Sequence, residues 1–150
     1  MADSIFRRML SPERVAAADL FDKDEAMERV LDLLTTASEV TDASALREAI
    51  LARESAMPTG MGFGLGAPHV RHWSTSAPVG ALLVIYNPID YGSMDSEPVQ
   101  ALFAVALPEE SHHEWLLCLA ELSERFRLET FRKKLYQCQS SEEIWELVSQ

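Results

Sequence analysis

A glycine-rich segment that ends at a histidine has the clearest chemical potential in this 150-residue sequence. Residues 53–72 read RESAMPTGMGFGLGAPHVRH and contain four of the six glycines in the chain. Glycine adopts backbone torsions that other residues avoid, and it lets other groups lie close to the backbone. The glycines run into Ala67-Pro68-His69, where proline fixes its own φ and favours extended geometry at Ala67. The segment therefore predicts a histidine presented beside a stiff turn.

The imidazole of His69 can act near neutral pH as a nucleophile, a general base or a metal ligand. Arg53, Thr59, Arg71 and His72 are near it in sequence, and their cationic and hydroxyl groups suit an anion such as phosphate. Backbone N–H groups of a glycine loop would add further donors. On composition alone, a glycine-rich surface turn with an inert histidine is the more ordinary interpretation.

The order and spacing of these residues favour a more specific interpretation. Arg53-Glu54, Thr59-Gly60-Met61-Gly62 and Gly66-Ala67-Pro68-His69 form one spaced set. Downstream landmarks follow in order: Ile89-Asp90-Tyr91-Gly92, Asp95, Pro98-Val99 and Leu107-Pro108-Glu109. Together they resemble the signature of enzyme IIA (EIIA) domains of the phosphoenolpyruvate-dependent sugar phosphotransferase system. The resemblance is to the fructose/mannitol type, EIIA type 2, which includes nitrogen-regulatory members, and it extends over nearly the whole chain.

The resemblance implies that His69 is a phosphohistidine, so that the protein is a phosphotransferase component. His69 would accept a phosphoryl group from an HPr-like phosphocarrier protein, then pass it to a IIB component or use it as a regulatory signal for a target protein. Arg53 resembles the family's arginine near the phosphorylated histidine, and a guanidinium can bind two phosphate oxygens at once. Its alternative role is to complement the dipole at the C-terminal end of a helix.

Four neighbouring residues have less specific assignments. Thr59 and Gly60 are predicted to offer a hydroxyl and an N–H to the phosphoryl group, with a simple turn as the alternative. Arg71 and His72 follow the histidine directly and are interpreted as peripheral.

The family usually carries a second histidine at the start of the helix after the last long strand. Here the register of the apolar residues places Trp115 at that position, with His113 and His112 two and three residues earlier. Either the helix entry is remodelled so that His112 or His113 reaches His69, or the second histidine is absent. This departure supports an alternative function, a non-catalytic regulatory interaction module that keeps the fold without transferring phosphate.

Two other kinds of site are disfavoured by spacing. A zinc site could draw on the histidines and one cysteine, but no pair has the i, i+4 spacing of helical ligands, and adjacent histidines point apart on a helix. The set would be His69, His72, His112, His113 and Cys118. The glycines do not satisfy the dinucleotide-binding pattern G-x-G-x-x-G. We therefore expect neither a metal nor an organic cofactor.

The formal net charge of −11 disfavours nucleic acid as a partner, because nucleic-acid binding depends on neutralising phosphates. It favours a protein partner with a basic docking face. Cys118 and Cys138 are predicted to be reduced core thiols. We find no signal peptide and no apolar run near twenty residues, so we expect a cytoplasmic protein without membrane insertion.

Hydrophobic periodicity predicts an α/β fold. The apolar runs Val79–Tyr86 and Val99–Leu107 have the length of strands covered on both faces, and the segment ending at His69 is a candidate third strand. Helix starts are predicted at Ser11-Pro12, Asp22, Asp42 or Ser44, Glu109, Thr130 and Ser140. We expect a three-layer sandwich, a mixed central β-sheet covered by helices on both faces, built as one domain over residues 1–150.

Overall fold

The computed structural model describes residues 4–150, which form an open mixed β-sheet with helices against both faces. The helices are α1 (Ile5–Met9), α2 (Lys23–Leu34), α3 (Ala43–Ala56), α4 (His112–Arg127), α5 (Glu129–Gln137) and α6 (Ser141–Val148), with a 3-10 helix at Pro12–Arg14. The strands are β1 (Val15–Ala18), β2 (Gly60–Gly62), β3 (Leu65–Gly66), β4 (His69–Arg71), β5 (Val79–Ile89) and β6 (Val99–Leu107).

The two long strands, β5 and β6, form the antiparallel centre of the sheet. Strand β1 pairs in parallel with β5, while β3 and β4 pair in parallel with successive parts of β6. The short strand β2 pairs with β3 and completes that edge. The mixture of parallel and antiparallel pairs confirms the predicted mixed sheet.

Side chains on β5 alternate between two separate cores. Leu82 and Val84 pack in one core with α1, α4, α5 and α6, whereas Leu83 and Ile85 pack in the other with α2 and α3. Alternation follows from the period of two along a strand, and burial on both faces explains why the run is apolar throughout. The predicted three-layer α/β arrangement is confirmed.

Three of the predicted helix starts are formed by local capping. Asp22 accepts a hydrogen bond from Glu25 N–H at 3.0 Å, and Ser140 accepts one from Glu143 N–H at 3.1 Å. Asp42 caps α3 in the same way, through Ala45 N–H at 3.0 Å, so the helix begins there rather than at Ser44. Because α3 extends to Ala56, Arg53 lies in its last turn.

The N-terminal region differs from the prediction at one point. Pro12 begins only a single 3-10 turn, and Val15–Ala18 then form an edge strand that the sequence analysis missed. Three of its four residues are alanines, which are weak strand formers. The strand exists because its backbone pairs with Leu82–Ile85 of β5, a contact distant in sequence.

His69 is held against the central strand of the sheet. Gly66 pairs with Leu102 and His69 with Val105, so β3 and β4 keep one register along β6 across the intervening Ala67-Pro68. The carbonyl of Pro68 accepts a hydrogen bond from Val105 N–H at 2.9 Å, which secures the interruption. His69 therefore begins β4 instead of ending a strand, and its backbone is fixed by the sheet.

Candidate active site

His69 lies on a pocket of about 390 Å³ formed by the last turn of α3, strand β4, the loop after β6 and the first turn of α4. The pocket is lined by Arg53, His69, Val70, Arg71, Glu109, His112 and Trp115. Three of these are cationic or can become so in addition to His69, and one is acidic. The chain thus assembles basic groups from three separate elements around one imidazole.

Two contacts define the tautomer of the His69 ring. Nδ1 lies 2.8 Å from the carbonyl oxygen of Ala67, and Nε2 lies 3.2 Å from Nη2 of Arg53. A carbonyl oxygen only accepts and a guanidinium only donates, so Nδ1 carries the proton and Nε2 carries the lone pair. The free lone pair is therefore on the ring nitrogen next to the arginine.

The surroundings of His69 also favour its neutral form. Burial lowers the pKa of the imidazole below its usual range, because the charged ring loses hydration. The hydrogen bond to Ala67 opposes this shift, the positive charge of Arg53 adds to it, and the negative charge of Glu54 opposes it. The net lowering leaves His69 uncharged at neutral pH, as a nitrogen nucleophile must be.

Trp115 covers one face of the His69 ring. The ring centroids are 3.9 Å apart with an interplanar angle of 22°, and only 8% of Trp115 is exposed. The lone pair of Nε2 lies in the plane of the imidazole, so stacking on the face leaves the direction of attack open. His112, the first residue of α4, lines the same pocket, whereas His113 is absent from its lining among the residues that the structure describes. The entry to α4 thus brings both Trp115 and His112 to the site.

Arg71 and His72 are placed differently from each other. Arg71 lines the pocket, and its Nη1 donates to the carbonyl oxygen of Glu109 at 3.3 Å, so its interpretation as peripheral was wrong. His72 instead contacts Ser74, with 2.7 Å between Nδ1 and the hydroxyl oxygen. Alternation along β4 puts Arg71 on the same face as His69 and His72 on the opposite face, so the period of two was the signal in the sequence that could have found Arg71.

A buried carboxylate beside the pocket was missed by the sequence analysis. Glu54 is only 4% exposed, and its Oε2 accepts from Thr59 N–H at 2.8 Å and from Lys23 Nζ at 3.1 Å. Its Oε1 accepts from the Thr59 hydroxyl. Lys23 Nζ also lies 3.9 Å from the centroid of the Tyr91 ring. The available signal was an acid directly after the helix-end arginine with a threonine five residues later.

Thr59 therefore directs both of its donors to Glu54 in this structure, and its role as a phosphate ligand stays a prediction. The Thr59 carbonyl accepts from Ala67 N–H at 2.9 Å, and the Ala67 carbonyl binds Nδ1 of His69. This chain of hydrogen bonds connects the Glu54 carboxylate to the reactive ring. Thr59 thus helps to hold the residue that defines the His69 tautomer.

Two glycines are required by close packing rather than by an open loop. A Cβ on Gly60 would lie 2.5 Å from the Ser93 hydroxyl oxygen. A Cβ on Gly66 would lie 2.8 Å from Leu102 Cδ2 and 2.9 Å from Tyr91 Cζ. Gly60 is in β2, so its predicted contact with phosphate also stays a prediction.

Other features of the described residues concern metals, membranes and thiols. Residues 4–150 contain no group of three or more His, Cys, Asp or Glu side chains arranged to hold a metal ion. None of the helices in this range combines the length and the apolar character needed to cross a bilayer. Cys118 and Cys138 are buried free thiols, and burial raises the pKa of the Cys118 thiol to about 12.

Comparisons with known proteins identify the family of this chain. Residues 8–150 match the family described as phosphoenolpyruvate-dependent sugar phosphotransferase system, EIIA 2. The fructose-specific EIIA component of Haloferax volcanii is 33% identical over 128 residues, which cover 85% of this chain and 83% of the relative. The crystal structure of nitrogen regulatory protein IIA-Ntr from Neisseria meningitidis has a TM-score of 0.83 at 26% identity, covering 97% of this chain and 99% of that one.

A third comparison concerns the mannitol branch. Escherichia coli enzyme IIA mannitol, solved in complex with phosphorylated enzyme IIB mannitol, has a TM-score of 0.76 over 93% of this chain and 96% of that one. At 17% identity it shows a shared fold. The family match spans nearly the whole chain, and the fructose-specific relative is similar over most of its own length. This chain therefore belongs to the EIIA type 2 family of the phosphoenolpyruvate-dependent sugar phosphotransferase system.

Proposed function

We propose that this chain is a phosphohistidine carrier in which Nε2 of His69 accepts a phosphoryl group from an HPr-like phosphocarrier protein. The group then passes to a IIB component or remains as a regulatory signal. The observation that carries this proposal is the tautomer of His69. The Ala67 carbonyl binds Nδ1–H at 2.8 Å, which leaves the Nε2 lone pair directed into a pocket beside Arg53.

The transfer step follows from this arrangement. The Nε2 lone pair attacks phosphorus in line, the bond from phosphorus to the donor nitrogen breaks, and that electron pair returns to the donor ring. His69 becomes an N-phosphorylated imidazolium that keeps its Nδ1 proton, and its hydrogen bond to Ala67 becomes charge-assisted. No proton has to move, so catalysis consists of positioning and of stabilising the phosphoryl oxygens. In onward transfer a nucleophile of the acceptor attacks phosphorus, the bond from phosphorus to Nε2 breaks, and its electron pair returns to the His69 ring.

Arg53 has two successive roles in this scheme. In the resting state its guanidinium donates to Nε2 at 3.2 Å and holds the ring in place. As phosphorus approaches, the lone pair is used for bonding, so the guanidinium moves to the equatorial oxygens and can bind two of them. Arg71 and His112 on the pocket wall supply further donors to the same oxygens.

The class of partner follows from the family and from charge. Enzyme IIA mannitol is solved with phosphorylated IIB, which supports a IIB component as one acceptor, while the nitrogen regulatory relative supports a signalling use. The net charge of −11 favours partners with a basic docking face. We place these exchanges in the cytoplasm, where donor and acceptor domains would meet the chain.

The test is to incubate the protein with radiolabelled, phosphorylated HPr. We expect incorporation of label that is acid-labile and base-stable, with nitrogen–phosphorus coupling by NMR assigned to Nε2. His69→Ala should abolish incorporation, while the matched variants His112→Ala and His113→Ala should still be labelled. Labelling that persists in a folded His69→Ala protein would overturn the proposal.

The alternative, a non-catalytic interaction module, is favoured by one observation. Trp115 stands over His69 where the family usually has a second histidine, and it stacks at 3.9 Å. Stacking does not block the in-plane lone pair, so we retain phosphoryl transfer as the first proposal. No incorporation into the wild-type chain, under conditions that label another EIIA domain, would favour the alternative.

A further inference from the structure

We propose that the indole face of Trp115 stabilises the phosphorylated form of His69, so that this chain retains its phosphoryl group more strongly than it would without the tryptophan. This inference rests on the proposed function of His69 and extends it to Trp115. The residue would act by direct contact with the ring that becomes charged, in addition to filling space in the core.

The geometry fits a face-to-face contact between the two rings. Their centroids are 3.9 Å apart and their planes differ by 22°, so the imidazole lies over the indole instead of meeting its edge. Both partners are restrained. Trp115 lies in the first turn of α4 and is only 8% exposed, and His69 is held by its β4 pairing with Val105 and by the Ala67 carbonyl.

The charge of the His69 ring changes during transfer while this contact stays. Before transfer the imidazole is neutral, because burial lowers its pKa. After transfer to Nε2 the ring still carries Nδ1–H and is therefore an imidazolium. An aromatic face attracts a cation far more strongly than a neutral ring, and tryptophan is the strongest of the aromatic side chains in this respect. The contact is therefore stronger in the product than in the reactant.

Burial strengthens this difference. Trp115 belongs to the core that contains Cys118 and Leu122 of the same helix, so one side of the imidazole faces protein and not water. An exposed cation–π contact is weak, whereas a desolvated one is several times stronger. The tryptophan also shields that face of the phosphorylated ring from attacking water. Both effects favour longer retention of the phosphoryl group.

The functional consequence is a displaced exchange equilibrium. Removing a desolvated cation–π contact should shift the equilibrium of phosphoryl exchange with HPr about tenfold away from this chain. Because the stabilised state is the donor in the next step, onward transfer should be slower with Trp115 present. Long retention suits a phosphorylation state that is read as a signal, and it is less suited to rapid relay.

An isosteric series of tryptophan analogues tests the inference. In a chain carrying Trp73→Phe and Trp145→Phe, Trp115 is replaced biosynthetically by indoles with one to four fluorines, which weaken the negative charge of the ring face with little change in size. We expect the equilibrium constant for phosphoryl exchange with HPr to fall stepwise, by about tenfold at full fluorination. A matched control retains Trp73 and Trp145, carries Trp115→Phe and should show no dependence on fluorination.

Ordinary variants separate the ring charge from packing. Trp115→Phe should keep part of the effect, and Trp115→Leu should lose it, although Phe and Leu fill similar space. The ring-current shifts of the His69 protons in NMR spectra report whether the stack persists in each protein that keeps an aromatic residue at position 115. Equal exchange constants in the fluorinated proteins and in Trp115→Phe, with the stack shown to be intact, would overturn the inference.

A second readout does not depend on phosphorylation, because protonation of His69 also produces an imidazolium. The fluorinated series leaves the neighbouring charged groups unchanged, namely Arg53, Glu54, Arg71, Glu109 and His112. The His69 pKa measured by NMR should fall with each fluorine, by about 1 unit in total. Absence of labelling in the wild type would end the proposed function and, with it, the role of Trp115 in phosphoryl retention, whereas normal labelling with a constant pKa across the series would end this inference alone.

Discussion

Arg53 and Glu54 are consecutive residues of α3 that serve two different environments. Arg53 is exposed, lies at the rim of the pocket and has its side-chain contact with Nε2 of His69. Glu54 is 4% exposed and accepts hydrogen bonds from Lys23 and from both donors of Thr59. Successive residues on a helix point about 100° apart, so one helical turn supplies both the pocket and the interior.

The difference reflects what each side chain has to do. In the proposed transfer the Arg53 guanidinium moves from a ring nitrogen to phosphoryl oxygens, which requires space and a single contact in the resting state. The Glu54 carboxylate has to hold Thr59, whose carbonyl in turn holds Ala67 beside His69. A closed, fully bonded cluster suits this task, since an unpaired buried carboxylate would cost several kcal/mol. A side chain with room to move and a side chain fixed by hydrogen bonds therefore occupy adjacent positions in the sequence.

The largest expected effect is on the rate of phosphoryl transfer and tests the exposed Arg53 side chain. Arg53→Ala should slow phosphoryl transfer from HPr about 100- to 1000-fold, the scale of losing one positioned donor at a developing charge. The free energy of unfolding should change by less than about 0.5 kcal/mol, because the side chain is exposed. Arg47→Ala is the matched control, since this arginine of α3 pairs with Glu28 and Asp32 away from the pocket. Equal transfer rates in wild type and Arg53→Ala would reduce the arginine to a helix-end residue.

The next largest effect is on stability and tests the buried Glu54 carboxylate. Glu54→Gln should lower the free energy of unfolding by about 2–3 kcal/mol, because the amide cannot accept from all three donors and leaves Lys23 without a counter-charge. Urea denaturation measures the loss, and we expect transfer to slow less than in Arg53→Ala. Glu48→Gln, at an exposed position of α3, provides the control and should be neutral. A variant at Glu54 as stable as the wild type would show that the cluster has no structural role.

A smaller loss of stability is expected from a substitution in β3, the strand that precedes His69. Gly66→Ala should destabilise the protein by about 1–2 kcal/mol, because its Cβ would lie 2.9 Å from Tyr91 Cζ as well as 2.8 Å from Leu102 Cδ2. The comparison variant is Gly80→Ala, whose Cβ would meet the Phe103 ring at 3.1 Å, and it should lose less. Thermal unfolding of the two proteins measures the difference in their stability. The same loss in both would mean that the crowding at Tyr91 is relieved by movement.

The smallest effect is on the pKa of His69, which Arg53 and Glu54 should shift in opposite directions. Protonation consumes the lone pair of His69, and its pKa lies below the usual 6.5, so the rate of phosphoryl acceptance should decline with a midpoint below pH 6.5. Arg53→Ala should raise this pKa because the guanidinium lowers it, whereas Glu54→Gln should lower it because the carboxylate raises it. NMR titration of His69 measures both shifts. A midpoint at or above 6.5 in the wild type, or shifts of the same sign, would contradict this account.

The features predicted correctly from the sequence are those that depend on local or strongly periodic information. The caps at Asp22 and Ser140 are formed by side chains within three residues of their partners, and the apolar runs of β5 and β6 have the pattern of strands buried on both faces. Strand β1 was not predicted, because an alanine-rich segment becomes a strand here only by pairing with β5. Strand pairing between distant segments overrides the weak preference of alanine.

The candidate site shows the same division. The motif identified His69 and Arg53, and the structure places Nη2 of Arg53 3.2 Å from Nε2 of His69. The burial of Glu54 was missed because it depends on Lys23 of α2, and Arg71 was interpreted as peripheral although it shares a face of β4 with His69. Sequence spacing also located Trp115 near the start of α4, but it contained no information on the angle between the two rings.

Residue types and short-range spacing are enough to identify the family, the cationic character of the site and the elements that would carry it. Tertiary structure decided which nitrogen of His69 holds the proton, that Trp115 covers the ring, and that Thr59 turns to Glu54. These features depend on contacts between α3, β4 and α4. Such contacts exist only when the sheet brings those elements together, because hydrogen bonds and stacking act over a few ångströms and not along the chain.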